Sequence, residues 1–107
     1  MNKGVHKKRI QEIIQKSTQN PAVKKVVLFG SHAYCRPSRD SDIDLLFIAD
    51  TKLKGMQRHR WINSTLSHIL PLDILVKTPS EIKKRIAMGD PFYKEVLEKG
   101  LLIYASK

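Results

Sequence analysis

The chain has 107 residues and one cysteine, and its 20 lysines and arginines outnumber its 10 aspartates and glutamates to give a net charge of +10. This length predicts one compact domain, residues 1–107, while the single cysteine excludes an intramolecular disulfide framework and no apolar segment is long enough to cross a bilayer. These properties favour a cytoplasmic protein with anionic partners, although solubilising lysines would account equally well for the charge.

The first half of the chain predicts a helix and two strands. Isoleucines recur at helical spacing in residues 7–19, and Asn20-Pro21 ends that helix because the residue before a proline avoids the helical region. The β-branched and aromatic run at residues 25–29 stops at Gly30 and predicts a buried strand. A polar loop then leads to a second apolar strand at residues 43–49.

The second half alternates helical patterns with two apolar runs. In chain order we predict a helix at residues 53–70, a strand at 72–76, a basic helix at 79–88, a helix at 92–98 and an apolar run at 101–104 that joins the sheet. Pro71 ends the first of these helices, and Ser80 is the expected cap of the basic one. The order predicts an α/β (α+β) fold, a small mixed sheet with helices packed mainly on one face.

Three carboxylates occupy positions that need a chemical explanation. Asp42 and Asp44 are two residues apart at the start of a strand, so their side chains would share one face. Asp73 interrupts an apolar strand, where a carboxylate is costly unless it is paired or binds a metal. Mg²⁺ best fits such a group because it prefers carboxylate oxygen and retains water. Alternatively, an Asp-x-Asp pair is a cap or turn feature, and Asp73 lies at a sheet edge.

The preceding strand ends in Gly30-Ser31, which weakens both of these alternatives. Glycine allows the backbone to approach a ligand closely, and serine adds a hydroxyl donor. N–H groups there would hold phosphate oxygens while the carboxylates hold the metals that bridge the same oxygens. The two motifs together therefore predict a phosphoryl-transfer site.

This combination resembles the signature of the DNA polymerase β-like nucleotidyltransferase superfamily. The resemblance is carried by Leu28-Phe29-Gly30-Ser31-His32-Ala33, Ser41-Asp42-Ile43-Asp44-Leu45-Leu46, Leu72-Asp73-Ile74-Leu75 and the tail at residues 91–104. The spacing and the small size are similar to the minimal nucleotidyltransferase branch, the MNT domain, over about residues 26–104. The joint pattern is far more specific than an isolated Asp-x-Asp.

The resemblance implies two-metal transfer of a nucleoside monophosphate. Asp42 and Asp44 would hold two Mg²⁺ ions, and Asp73 would complete the site and orient or help to deprotonate the attacking hydroxyl. Gly30 and Ser31 would bind the β- and γ-phosphates of a nucleoside triphosphate, which we expect to be ATP, and pyrophosphate would leave.

The phosphate side of this site departs from the family pattern. The family commonly has Ala-Arg-Gly where this chain has Ala33-Tyr34-Cys35. Arg36 or Arg39 would have to supply the missing positive charge. Ser41 is assigned to the same phosphate site as a hydrogen-bonding residue rather than a nucleophile. The departure affects the expected triphosphate affinity more than the fold or the metal site.

The resemblance also implies a partner, because minimal nucleotidyltransferases are commonly encoded beside HEPN-domain proteins and act as their antitoxins. We expect a hetero-oligomer in which AMP is added to a tyrosine hydroxyl of the HEPN protein. An antitoxin that acts by binding alone is an alternative, whereas an aminoglycoside-type enzyme would need a further helical domain. Nucleic-acid binding through Ile82-Lys83-Lys84-Arg85 is a third alternative that no RNA-binding motif supports. Trp61 is interpreted as the rim of the core or as a partner contact.

Overall fold

The computed structural model describes residues 3–30, 43–65 and 72–106. Its elements are α1 (Lys3–Thr18), β1 (Val23–Phe29), β2 (Ile43–Ala49), α2 (Met56–Thr65), β3 (Leu72–Lys77), α3 (Pro79–Ala87), α4 (Pro91–Lys99) and β4 (Leu101–Ala105). This is the predicted order, and β2 has its predicted bounds. The predicted loop at residues 31–41 and the predicted helical residues 66–70 lie outside the described residues. No helix in the described part is long and apolar enough to cross a membrane.

The four strands form one mixed sheet in the order β3-β2-β1-β4. β1 lies antiparallel to both β2 and β4, whereas β2 and β3 are parallel. A parallel neighbour requires a crossover connection, and α2 lies within the connection between β2 and β3. The predicted small mixed sheet is confirmed, and among the described strands the last apolar run, β4, forms one edge and β3 the other.

Helices cover both faces of this sheet. One face carries α1 and α2, which pack Ile13 and Ile62 against the strands. The other face carries α3 and α4, which contribute Ile82 and Val96. The fold class is therefore as predicted, but the expectation of helices mainly on one face needs correction. Residues 45–49 of β2 are all buried, and such a continuous apolar strand is typical of a sheet covered on both faces.

The N-terminus of α3 is closed by a capping box at Thr78. The Thr78 hydroxyl accepts a hydrogen bond from the Glu81 backbone N–H at 3.2 Å, and the Glu81 carboxylate accepts one from the Thr78 N–H at 2.8 Å. The prediction that Ser80 caps this helix is wrong. Pro79 occupies the first helical position, which suits its fixed backbone angle, so the cap must precede it.

A buried arginine ties α2 and α3 to the end of β3. Arg58 is only 8% exposed, and its Nε donates to the Leu53 carbonyl oxygen at 2.5 Å. Its Nη1 and Nη2 donate to the two carboxylate oxygens of Glu81 at 2.6 and 3.3 Å, and Nη1 also lies 3.4 Å from the Val76 carbonyl oxygen. The Arg58 hydrogen bonds, with the Thr78 N–H, lower the pKa of Glu81 from 4.5 to about 2.

This ion pair predicts a defined loss of stability in acid. Because the folded-state pKa of Glu81 is depressed, its contribution is complete above about pH 4.5 and is lost as the pH falls towards about 2. The Glu81 side chain is 41% exposed, so solvent screening reduces the contribution to about 1–2 kcal/mol. Urea unfolding at pH 6 and pH 3 should show a smaller pH-dependent loss in Glu81→Gln than in the wild type.

The exposed Glu95 provides the matched control, because its pair with Lys99 is solvated on both sides. Glu95→Gln should keep the wild-type difference between the two pH values. If Glu81→Gln behaved like Glu95→Gln, the Arg58 pair would not be responsible for the acid sensitivity.

Candidate active site

Three strands bring two carboxylate positions and a glycine to one end of the sheet. Phe29, the last residue of β1, lies opposite Asp44 in the antiparallel β1–β2 pair, and Gly30 follows directly. Asp44 is also the register partner of Asp73 in the parallel β2–β3 pair. The sheet therefore places Gly30, Asp44 and Asp73 on neighbouring strands at the same end.

Gly30 and the Asp44 carboxylate are in direct contact. Gly30 has a φ of 75°, in the left-handed region that side chains disfavour. A Cβ atom at this position would overlap Asp44 Oδ2 and would lie 3.1 Å from Asp44 Cγ. Residue 30 is therefore glycine for two reasons, its backbone conformation and the space that the carboxylate occupies.

Asp44 lies on the face of the sheet that α3 and α4 cover. Side chains alternate along a strand, so Asp44 shares its face with Leu46 and Ile48, which belong to the core cluster beneath these helices. Asp44 itself is partly buried. A carboxylate near the start of such an apolar strand is costly to desolvate, which makes Asp44 a candidate functional residue.

Phe29 shares this face with Asp44, because residues directly opposite in an antiparallel pair point the same way. The ring of Phe92, near the start of α4, packs edge-on against Phe29 with a centroid distance of 5.8 Å and an interplanar angle of 89°. The carboxylate site therefore has an aromatic neighbour that the sequence patterns did not indicate. The one feature of the sequence that could have indicated this neighbour is the position of Phe29 directly before Gly30.

The predicted site is thus described in part. The structure gives the surroundings of Gly30 and Asp44 and the backbone position of Asp73. Five further predicted residues lie outside the described part, so their roles stay predictions: Ser31, Arg36, Arg39, Ser41 and Asp42.

The described geometry fits a divalent cation. The backbones of Asp44 and Asp73 are in register on adjacent strands, which lie about 4.8 Å apart, so these two residues are candidates to hold a cation at this end of the sheet. All-oxygen ligands favour Mg²⁺ over softer metals. Among the described side chains no group of three or more His, Cys, Asp or Glu residues is placed to hold a metal ion.

Cavities lined by described residues also lie away from this end of the sheet, and two of them bear on the sequence predictions. One, of about 240 Å³, is lined by Lys77, Lys84 and Arg85 together with Glu81 and Met88, near the far end of β3. Its cations would suit an anion, as the nucleic-acid alternative requires.

The other cavity, of about 420 Å³, is lined by Trp61 and by residues of the turn between α1 and β1. Trp61 is partly buried against the core, so its interpretation as core rim is confirmed.

Comparison with known families decides the class of protein. The family model described as polymerase beta, nucleotidyltransferase matches residues 9–107. The chain belongs to this nucleotidyltransferase family. The predicted enzyme class and the resemblance to the polymerase β-like superfamily are thereby confirmed.

Relatives of this nucleotidyltransferase cover nearly the same length. A candidate protein adenylyltransferase of Methanocaldococcus jannaschii is 28% identical over 99 residues, which is 91% of this chain and 96% of the relative.

Solved structures share the nucleotidyltransferase fold. A chain of a toxin-antitoxin structure with AMP-PNP has a TM-score of 0.63 at 21% identity, covering 92% of this chain and 74% of that one. A chain of the complex between the tri-AMPylated HEPN toxin of Shewanella oneidensis and its MNT antitoxin has a TM-score of 0.58 at 19% identity, with 94% and 72% covered. At these identities the likeness establishes the fold.

The contact between Gly30 and Asp44 predicts an unusually costly glycine substitution. Gly30→Ala should lower the free energy of unfolding by about 1–2 kcal/mol for the left-handed φ and by a further 1–3 kcal/mol, approximately, for the overlap with the carboxylate. Chemical denaturation of the purified variant measures the sum.

Gly55→Ala separates these two contributions. Gly55 also has a positive φ, 58°, but no atom lies within 4 Å of a Cβ built there. Both variants change the unfolded chain alike, so their difference isolates the overlap. Equal losses in the two variants would show that Asp44 does not occupy the space beside Gly30.

Proposed function

We propose that this nucleotidyltransferase moves AMP from ATP, with Mg²⁺, to an acceptor hydroxyl on a HEPN-type toxin and so acts as its antitoxin. The observation that carries the proposal is the contact of the Asp44 carboxylate with Gly30, next to the register partner Asp73. A carboxylate held at a strand end beside a glycine backbone suits a metal-bound phosphate better than a structural role.

The residues have distinct tasks in the proposed reaction. Asp42 and Asp44 would hold Mg²⁺, which when bound neutralises negative charge on the phosphate oxygens. The backbone at Gly30 and Ser31 would hold the β- and γ-phosphates. The acceptor oxygen forms a bond to the α-phosphorus as the bond to the bridging β-phosphate oxygen breaks. Pyrophosphate leaves with that electron pair, and Asp73 receives the hydroxyl proton.

Support for AMP and for a HEPN partner comes from the relatives. The Methanocaldococcus jannaschii relative is described as a candidate protein adenylyltransferase, and one structural neighbour was solved with AMP-PNP. The neighbour from Shewanella oneidensis is a complex that contains an AMPylated HEPN toxin. These properties belong to those proteins, and their agreement favours the same chemistry here.

Exposed apolar side chains also favour a protein partner. Leu97 on α4 and Leu102 on the edge strand β4 line one groove, and they are 38% and 57% exposed. Neighbouring large apolar residues on a highly charged chain are typical of a surface that another protein covers.

Substitution of Asp44 tests the proposed chemistry. Asp44→Asn keeps the shape of the side chain but removes its charge, so transfer should fall by at least about a thousandfold. The chain is incubated with its HEPN-type partner, ATP and Mg²⁺, and intact-mass spectrometry counts the AMP groups added to the partner. Asp50→Asn is the matched control, because Asp50 is exposed just beyond the other end of β2 and should leave transfer unchanged.

The same samples separate catalysis from neutralisation by binding. Size-exclusion chromatography should show that Asp44→Asn still forms the complex with the partner. A wild-type chain that silences the toxin without adding AMP would support an antitoxin that acts by binding alone. This alternative is suggested by Tyr34-Cys35, which stand where the family commonly has Arg-Gly. Full transfer by Asp44→Asn would reject the proposed site.

A further inference from the structure

An exposed aromatic ring stands beside the candidate active site. Phe92 is 44% exposed, whereas the next residue on α4, Tyr93, is only 8% exposed. Phe92 packs edge-on against both Phe29 and Tyr93, with centroid distances of 5.8 and 5.0 Å. Tyr93 therefore contributes to the core, whereas much of the Phe92 ring faces solvent.

The position of the Phe92 ring is well defined by the start of α4. Asp90 caps this helix and its Oδ1 accepts a hydrogen bond from the Phe92 N–H at 3.0 Å. Pro91 occupies the first turn with a fixed φ. The helix start thus presents the ring on a rigid backbone, which lowers the entropic cost of binding a flat ligand.

Phe29 connects this ring to the carboxylate. Phe29 and Asp44 are directly opposite in the β1–β2 pair, where Cβ atoms on the same face are about 5 Å apart. Gly30 follows Phe29 without an intervening residue. The aromatic pair Phe29–Phe92 is therefore a wall at the edge of the proposed phosphate and metal site.

The strand order indicates which ligand would meet this wall. Asp73, which is proposed to act on the acceptor, lies on β3, on one side of Asp44. Phe29 and Gly30 lie on or after β1, on the other side. The aromatic pair is thus on the triphosphate side of Asp44 rather than on the acceptor side.

We propose that the Phe29–Phe92 pair binds the nucleobase of the triphosphate, with the exposed ring of Phe92 as the contact surface. This inference rests on the proposed function, because it assumes that phosphates bind at Gly30 and Asp44. Every base has a π-face, so the wall tolerates different purines and contributes affinity more than base selectivity.

Isothermal titration calorimetry with Mg²⁺ tests the inference by comparing ATP with inorganic tripolyphosphate, which lacks a base. Phe92→Ala should raise the Kd for ATP about five- to tenfold and leave the Kd for tripolyphosphate within about twofold. Phe92→Tyr should retain wild-type affinity for ATP. Leu97→Ala is the control and should leave both Kd values unchanged, because Leu97 is another exposed apolar side chain of α4 but lines a groove with Lys25 and Ile48, towards the opposite end of the sheet.

Three results would overturn the inference. An unchanged ATP affinity in Phe92→Ala would show that the ring does not touch the base. Equal weakening of ATP and tripolyphosphate would show that the ring only supports the phosphate site. A raised KM for the acceptor with an unchanged Kd for ATP would assign the wall to the acceptor.

The failure of the underlying function has a different signature. A wild-type chain that bound neither ATP nor tripolyphosphate would reject the nucleotide site and the aromatic wall together. If the chain bound ATP in a Phe92-dependent manner but transferred no AMP, the nucleobase contact would be supported and only the proposed transfer would be refuted.

Discussion

The close approach of the Asp44 carboxylate to the backbone of Gly30 is the contact on which the rest of this structure depends. It requires a residue without a side chain at the end of β1 and a partly desolvated carboxylate on β2. Such an arrangement is costly by itself. It is sustained because the two strands are held in register by apolar residues buried on both faces, among them Val26, Val27 and Leu45–Ala49.

The ion pair of the buried Arg58 lies well away from that contact. Arg58 and Glu81 join α2 and α3 near the far end of β3, whereas Asp73 lies near its start. The ion pair and the candidate active site thus lie at opposite ends of the same strand. The separation leaves one end of the sheet available for ligands, and the exposed Phe92 and the Asp44 carboxylate both belong to that end.

The elements around the site could be predicted because their signals are local. An apolar run that stops at Gly30 and another that begins within an acidic motif indicate the two central strands without any knowledge of tertiary contacts. The unbroken apolar run of β2 also contained enough information to predict that helices cover both faces of the sheet. To predict the cap at Thr78, one must know that Pro79 is the first residue of the helix, and composition alone does not show this.

Contacts between distant residues could not be predicted in this way. Arg58 and Glu81 are 23 positions apart, and no local feature of α2 shows whether an arginine there is buried with a partner or solvated. The contact of Phe92 with Phe29 likewise depends on where α4 begins relative to the sheet. The roles of Asp42, Ser31, Arg36, Arg39 and Ser41 concern residues outside the described part of the chain.

A crystal structure of the chain with Mg²⁺ and a non-hydrolysable ATP analogue would test the central claim most directly. The account predicts a metal ion about 2.1 Å from an Asp44 carboxylate oxygen, with phosphate oxygens facing the backbone at Gly30. A nucleotide bound instead in the basic cavity at Lys77 and Arg85, with Asp44 away from any metal, would contradict it.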